Sequence, residues 1–162
     1  MYRIGLISDT HGLLRPEALA FLRGCDAIVH GGDIGHAGIL DTLAALAPVT
    51  AVRGNNDSGV WAQHIRETEF LQVGALLLYA IHDLAQLDID PLPAGVRVVI
   101  SGHSHKPRIE ESNGVLYVNP GSAGPRRFTL PIAAGELRID GLSVSARIVD
   151  LHNACNTTIV CS

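Results

Sequence analysis

The sequence has few cysteines, no excess of basic charge and no long apolar run, and each shortage excludes a class of protein. Its 162 residues include three cysteines, Cys25, Cys155 and Cys161, and none lies in Cys-x-x-Cys spacing. An odd count without that spacing predicts neither a disulfide framework nor a thiolate zinc site. The formal net charge of −4 argues against a large basic surface for nucleic-acid backbones.

Membrane and secretion signals are also missing. The longest apolar run, ALLLYAI at 75–81, is far too short to cross a bilayer. The opening MYRIGLISDTHG has no charged-then-apolar leader followed by small residues. We therefore expect a soluble, cytoplasmic chain without a membrane partner.

The chain contains enough apolar sequence to form the core of one domain. It is 47% hydrophobic and 17% charged, which predicts a substantial buried core. We expect this domain to span residues 1–150. The tail, 151–162, fits no predicted element, and we expect it to be loosely ordered or to depend on packing that the sequence does not reveal.

Strand and helix patterns alternate in the first half of the chain. Helical spacing over 16–24 and 37–48 separates the first three of six apolar, β-type runs, which predicts parallel strands in a layered α/β fold. Asn-Gly at 113–114 and Asp-Gly at 140–141 predict hairpins, so antiparallel strands should dominate the second half. The six runs are 2–7, 27–30, 49–53, 75–81, 96–100 and 115–119.

Polar side chains follow the ends of these runs. In a strand, residues two apart point to the same side, so Asp9 and His11 would present a carboxylate and an imidazole together. Such a pair alone is more often part of a solvated loop, but similar endings recur, and loops beyond parallel strands gather in one crevice. The metal-capable residues at such ends are Asp9, His11, Asp33, Asn55, His82, His103 and His105.

The donor types indicate which metals this crevice would bind. Carboxylates, an amide and imidazoles without any thiolate suit Mn, Fe, Zn or Ni, and we favour Mn. Seven donors are too many for one site that keeps an open position. If one carboxylate bridges, they form two four-ligand sites, the arrangement used for phosphoryl transfer with ions about 3.5–4 Å apart.

In their order along the chain, the short motifs that contain these donors resemble those of the calcineurin-like metallophosphoesterases. The short length and the Asn-Pro-Gly-Ser at 119–122 are similar to the small phosphodiesterase branch, which also contains a retromer subunit. The resemblance covers roughly residues 1–150. It implies an α/β fold, a four-layer α/β/β/α sandwich of two mixed sheets flanked by helices. The matching motifs are Asp9-x-His11, Gly32-Asp33, Gly54-Asn55, His82 and Gly102-His103-Ser104-His105.

The resemblance also implies how the donors divide. One ion would be held by Asp9, His11, Asp33 and His105. The second would be held by Asp33, Asn55, His82 and His103, with Asp33 as the bridge. A water between the two ions would then attack phosphorus, and no protein nucleophile would be needed, because metals lower the pKa of water towards about 7.

Two positions depart from the family pattern. Many members have a histidine that helps to protonate the leaving group where this chain has Asn56. Asparagine is no general acid at neutral pH, although its amide can hydrogen-bond a phosphate oxygen. Asp83 stands where glycine is usual, and either adds a carboxylate beside a cation site or points to solvent.

We interpret the chain as a dimetal phosphoesterase acting on a small phosphate ester, with diesters favoured over monoesters. The candidate substrate contacts are Asn55, Asn56, His36 and Arg126. Either Arg126 or its neighbour Arg127 would clamp a phosphate, unless both lie in a solvated loop. A protein-binding scaffold on the same fold and a nuclease are the alternatives, and a homo-oligomer is left open.

Overall fold

Two mixed sheets lie face to face in the computed structural model, which describes residues 1–153 and 158–159. The first has the strand order β11-β10-β9-β1-β2-β3 and the second β4-β5-β6-β8-β7. The strands are β1 (Tyr2–Ile7), β2 (Ala27–His30), β3 (Val49–Ala51), β4 (Thr68–Val73), β5 (Leu76–Ile81), β6 (Val96–Ile100), β7 (Arg108–Ser112), β8 (Val115–Asn119), β9 (Ala133–Asp140), β10 (Ser143–Asp150) and β11 (Thr158–Ile159).

Two α-helices make the parallel crossovers of the first sheet. Helix α1 (Pro16–Leu22) begins at its proline, which suits the first helical position, and α2 is Ala37–Ala44. Both end earlier than the apolar spacing predicted. After α2 the backbone tightens into a turn in which the N–H groups of Leu46 and Ala47 both donate to the carbonyl of Leu43.

The buried apolar residues of the described part of the chain form three clusters, which lie between or against the layers of the fold. One cluster packs both helices on the first sheet, and a second fills the space between the sheets. The third covers the outer face of the second sheet with Leu84, Leu87 and Ile89, from the 3₁₀ turn Leu84–Gln86 and the loop after it. The α/β/β/α sandwich is therefore present, with a short 3₁₀ layer on one side.

The direction of the strands in the second sheet decides where their ends lie. The predicted hairpins are present, β7 with β8 and β9 with β10, but β5, β6 and β8 run parallel to one another. Loop 82–95 carries the chain back across the sheet after β5, so β6 pairs parallel with β5. Strand β7 then lies at the edge of the sheet, and β8 returns between β7 and β6 and pairs parallel with β6. Strand β4 was missed by sequence patterning because its half-exposed residues show little apolar alternation.

The described part of the tail adds an edge strand. Thr158 and Ile159 pair antiparallel with Val149 and Ile148 of β10. Cys25 is buried in the core, whereas Cys155 and Cys161 lie outside the described residues. Among the described residues, no helix has the length and apolar character needed to cross a membrane.

Candidate metal centre

The seven predicted donors meet at one edge of the sandwich, where the parallel strands of both sheets end. Each has a nitrogen or oxygen within 4.0 Å of the next donor in a connected series. This juxtaposition joins loops that are far apart in sequence, because β5 and β6 end beside β1, β2 and β3. In series order, the donors are His105, Asp9, His11, Asp33, His82, Asn55 and His103.

The backbone beneath five of these donors is left-handed, a conformation that is uncommon for residues other than glycine. The five φ angles are 54° at Asp9, 46° at His11, 54° at Asp33, 69° at His103 and 60° at His105. Each such residue costs about 1–3 kcal/mol, and such residues cluster at functional sites. Since β1 ends at Ile7, left-handed loop residues and not strand alternation direct the first two donors.

Asp9, His11 and His105 form the first half of the centre. His105 Nε2 lies 3.3 Å from Asp9 Oδ1 and 3.3 Å from His11 Nε2. Asp9 Oδ2 accepts hydrogen bonds from Ser8 Oγ at 2.7 Å and from the N–H of His103 at 3.1 Å. Asp9 Oδ1, by contrast, is buried and accepts no hydrogen bond from any of the described residues. A buried carboxylate oxygen of this kind is costly unless a cation faces it, so this half fits a metal ion.

The second half is formed by His82, Asn55 and His103. His82 Nδ1 donates to the carbonyl of Gly31 at 2.7 Å, which leaves Nε2 to face the cluster. That nitrogen lies 2.9 Å from Asn55 Oδ1, which also lies 3.1 Å from His103 Nδ1. Three donor atoms thus converge where a second cation would fit.

Asp33 lies between the two halves. Its Oδ2 is 3.8 Å from His11 Nε2 and 3.4 Å from His82 Nε2. Burial raises the pKa of this carboxyl, but hydrogen bonds from His82 and Asn56 outweigh burial and hold the pKa well below its usual range. Asp33 is therefore an anion at neutral pH, as a shared ligand must be.

Buried Asp57 ties two of the donor loops together. Its Oδ1 accepts from the N–H groups of Ile34 at 2.8 Å and Gly35 at 3.1 Å, and its Oδ2 accepts from Gly54 N–H at 2.9 Å. The loops pack so closely that a Cβ on Gly54 would lie 2.1 Å from the Asp33 nitrogen. Asp57 and Gly54 together set the separation of Asp33 and Asn55.

His30 supports the loop after β2 from beneath. The N–H of Gly32 donates to His30 Nδ1 at 3.1 Å, and His30 Nε2 lies 3.0 Å from Thr10 Oγ1. Thr10 in turn donates to the carbonyl of Ile34 at 2.8 Å. Complete burial lowers the pKa of His30 to about 4, so this imidazole is neutral.

The candidate substrate contacts take different positions. The Asn56 side chain faces Asp33, and the Asn55 side chain faces His82 and His103. His36 is exposed at the start of α2, beside Gly38.

Asp83, the second departure from the family pattern, lies at the rim of the centre. Its Oδ1 accepts a hydrogen bond from the N–H of Ala85 at 3.0 Å, at the start of the 3₁₀ turn. Its Oδ2 lies 3.9 Å from His103 Nε2. This carboxylate therefore both caps the turn and faces a candidate ligand.

Of the two arginines in the loop after Gly124, Arg127 faces the centre. Both side chains are exposed, but Arg127, unlike Arg126, lines a cavity together with His105. Burial lowers the pKa of His11, and the charges of His105 and Arg127 add to that lowering against those of Asp33 and Asp9. Of the two arginines, Arg127 is therefore the one that lies beside the candidate centre.

Two cavities flank the centre. One, of about 400 Å³, is lined by Asn55, His82, Asp83 and His103, among others. The other, of about 390 Å³, lies beside His105 and continues to 127–130. The centre therefore has open space on both sides.

Asn119 was not among the sequence candidates, although it ends β8 just as the donors end other strands. Its Nδ2 donates to the carbonyl of Gly102 at 2.8 Å and to Ser104 Oγ at 3.1 Å, and its Oδ1 accepts from Gly121 N–H. Asn119 thus holds the loop that carries two candidate ligands. Two signals were available in the sequence, its place at the end of an apolar run and the Asn-Pro-Gly-Ser motif that it begins.

Comparisons with known proteins agree with this architecture. A family model for the calcineurin-like phosphoesterase superfamily domain matches residues 2–141. The chain is 40% identical over 158 residues to a probable metallophosphoesterase of Methanothermobacter thermautotrophicus, covering 90% of this chain and 91% of the relative.

Two solved structures have a similar fold. One is wild-type Vps29 of Entamoeba histolytica complexed with Zn²⁺, at a TM-score of 0.77 and 24% identity, covering 94% of each chain. The other is YfcE, a phosphoesterase from E. coli, at a TM-score of 0.73 and 21% identity, covering 98% of this chain and 97% of that one. Given the family match and the 40% identical relative, the chain belongs to the calcineurin-like phosphoesterase superfamily.

Proposed function

We propose that the chain hydrolyses phosphate esters, diesters in preference to monoesters, with two divalent ions held by its seven convergent donors. The observation that carries this proposal is the convergence itself, around the buried Oδ1 of Asp9, which accepts no hydrogen bond within the described part of the chain. A binding scaffold has no physical need to keep these donors aimed at one point. As expected from the sequence, the chain would act in the cytoplasm on a small substrate.

The chemistry of the donors supports a pair of divalent ions. Asp9, His11 and His105 lie on one side of Asp33, and Asn55 and the other two histidines lie on its other side. None of the seven donors is a thiolate, which favours Mn over softer ions. The Zn²⁺ complex of the similarly folded Vps29 supports metal binding at such a fold.

Bound ions would polarise the phosphoryl oxygens and lower the pKa of water. The chain's own part is to hold charge and orientation. Asp33 stays anionic, and the carbonyl of Gly31 fixes the ring of His82. Arg127 would neutralise charge on the phosphoryl group. Because Asn56 cannot give a proton, alcohols that are themselves acidic should leave fastest.

The preference for diesters rests on the two flanking cavities. A diester has two substituents on phosphorus, and a cavity of about 400 Å³ lies on one side of the centre with one of about 390 Å³ on the other. A monoester would fill only one of them. We therefore expect the second ester arm to add binding free energy.

The test begins with elemental analysis of protein purified without chelator. Hydrolysis of bis(p-nitrophenyl) phosphate and of p-nitrophenyl phosphate is then compared with added Mn²⁺, and the diester should have the higher kcat/KM. A chelator should abolish both activities. His105→Ala should lose metal and activity, whereas the matched His64→Ala, at an exposed histidine outside the cluster, should retain both.

Two results would contradict the proposal. Faster turnover of the monoester would reject the diester preference alone. No hydrolysis after reconstitution with several divalent ions, together with one stable protein partner, would favour the scaffold alternative.

A further inference from the structure

The cavity beside His105 has features that hydrolysis at the centre does not require. Its walls are Lys106 and the segment 127–130 in addition to His105. Its volume of about 390 Å³ is large enough for a small organic group. It adjoins the first half of the centre, so a group attached to the reacting phosphate would reach it.

Two cations face this cavity. Lys106 and Arg127 are both exposed, and neither forms an ion pair with another of the described residues. The opposite cavity carries three carboxylates, from Glu67, Asp83 and Asp88, and a single arginine that is already paired with Glu67. The charge difference directs an additional anionic group of the substrate to the side of Lys106.

An aromatic ring completes the wall. Phe128 is 92% exposed, so its ring contributes almost nothing to the core. Its φ of 52° is left-handed, which is a rare conformation for a bulky residue. Exposed rings stack on flat ligands, and strained residues are typical of ligand clamps.

We infer that this cavity binds the part of the substrate that is not hydrolysed, a flat ring against Phe128 and a second anionic group beside Lys106. A nucleotide with a second phosphate has both groups. The inference rests on the proposed function for the position of the reacting phosphate. The leaving alcohol then points to the opposite, acidic cavity.

The test is a calorimetric titration of the full, metal-loaded chain with methyl phosphate, thymidine 5′-phosphate and thymidine 3′,5′-bisphosphate. Replacing the methyl group by thymidine should tighten Kd by about 10-fold, as base stacking on an aromatic side chain does. Adding the second phosphate should tighten Kd by about 10-fold again, as charge-assisted hydrogen bonds do.

Variants assign each gain to a residue. Phe128→Ala should lose the gain from the base, and Phe128→Tyr should keep it because the ring remains. Lys106→Met should lose the gain from the second phosphate. Leu142→Ala is the matched control, since Leu142 is 74% exposed in the turn after β9, at the far end of the first sheet.

Equal affinity for all three ligands would overturn the inference. So would gains in affinity that persist in both Phe128→Ala and Lys106→Met. Failure of the proposed function would look different. A chain that binds nucleotides with these dependences but hydrolyses no diester supports the inference and contradicts the function. One that hydrolyses diesters without any nucleotide preference contradicts the inference alone.

Discussion

Asn56 holds Asp33 by two hydrogen bonds, from its backbone N–H to Oδ1 at 2.9 Å and from its side-chain amide to Oδ2 at 3.0 Å. The position where many relatives have a protonating histidine therefore serves here to orient the candidate bridging carboxylate. The same two bonds help to keep Asp33 ionised.

The central role of Asp33 predicts the effect of neutralising it. Asp33→Asn should remove most of the bound metal and lower turnover by several orders of magnitude, because both ions lose a shared anion. Elemental analysis and kcat give the measurement, with circular dichroism as the check that the fold persists. Two ions per chain and near-normal activity in this variant would show that the assignment is wrong.

The leaving group should control the rate in the wild type. Without an acid at position 56, the rate should fall steeply across aryl diesters of rising leaving-group pKa. Asn56→His should flatten that dependence, with a gain of up to about 10²–10⁴-fold for the poorest leaving groups if the imidazole reaches the leaving oxygen.

Asn56→Ala is the control for this experiment. It removes the same amide from Asp33 and supplies no acid. The dependence of its rate on leaving-group pKa should therefore stay steep, while its metal content falls. A flat wild-type dependence, with chemistry shown to be rate-limiting, would mean that another acid acts. His36 and His103 would then be mutated first.

Asp57 predicts a stability effect that is independent of catalysis. Asp57→Ala leaves three backbone N–H groups without their acceptor, at about 1 kcal/mol or more each, so the free energy of unfolding should fall by about 3 kcal/mol. Asp57→Asn keeps one acceptor oxygen and should cost less. Urea unfolding measures both, with Asp88→Ala as an exposed control. A loss below about 1 kcal/mol in Asp57→Ala would contradict this account.

His30 predicts how stability depends on pH. Burial lowers its pKa from 6.5 to about 4 in the fold, so the unfolded chain binds more protons between these values. The contribution of neutral His30 to the free energy of unfolding, about 3 kcal/mol, is therefore complete above pH 6.5 and is lost as the pH falls towards 4.

The check is urea unfolding of chelator-treated wild type and His30→Gln at pH 7 and pH 4.5. The wild type should lose more stability than the variant over this interval, because glutamine does not titrate there. Equal losses would assign the acid sensitivity to other groups.

Much of the fold follows from local patterns. Apolar runs and turn residues predicted β1, β2, β3, β5, β6 and β8, as well as both hairpins, because each depends on neighbours in sequence. The sequence patterns predicted neither strand β4 nor the parallel order of β5, β6 and β8. The parallel order depends on the crossover after β5, which local patterns do not reveal. The four-layer arrangement came from the family resemblance.

The sequence alone determined which donors the candidate site has, since acids and imidazoles at strand ends are visible as a series. Only the tertiary structure decided how they meet, because the distances between Asp33, His11 and His82 depend on loops that are remote in sequence. The same is true of the cavity walls: Phe128 becomes a neighbour of His105 and Lys106 only when the loop after Gly124 packs beside them.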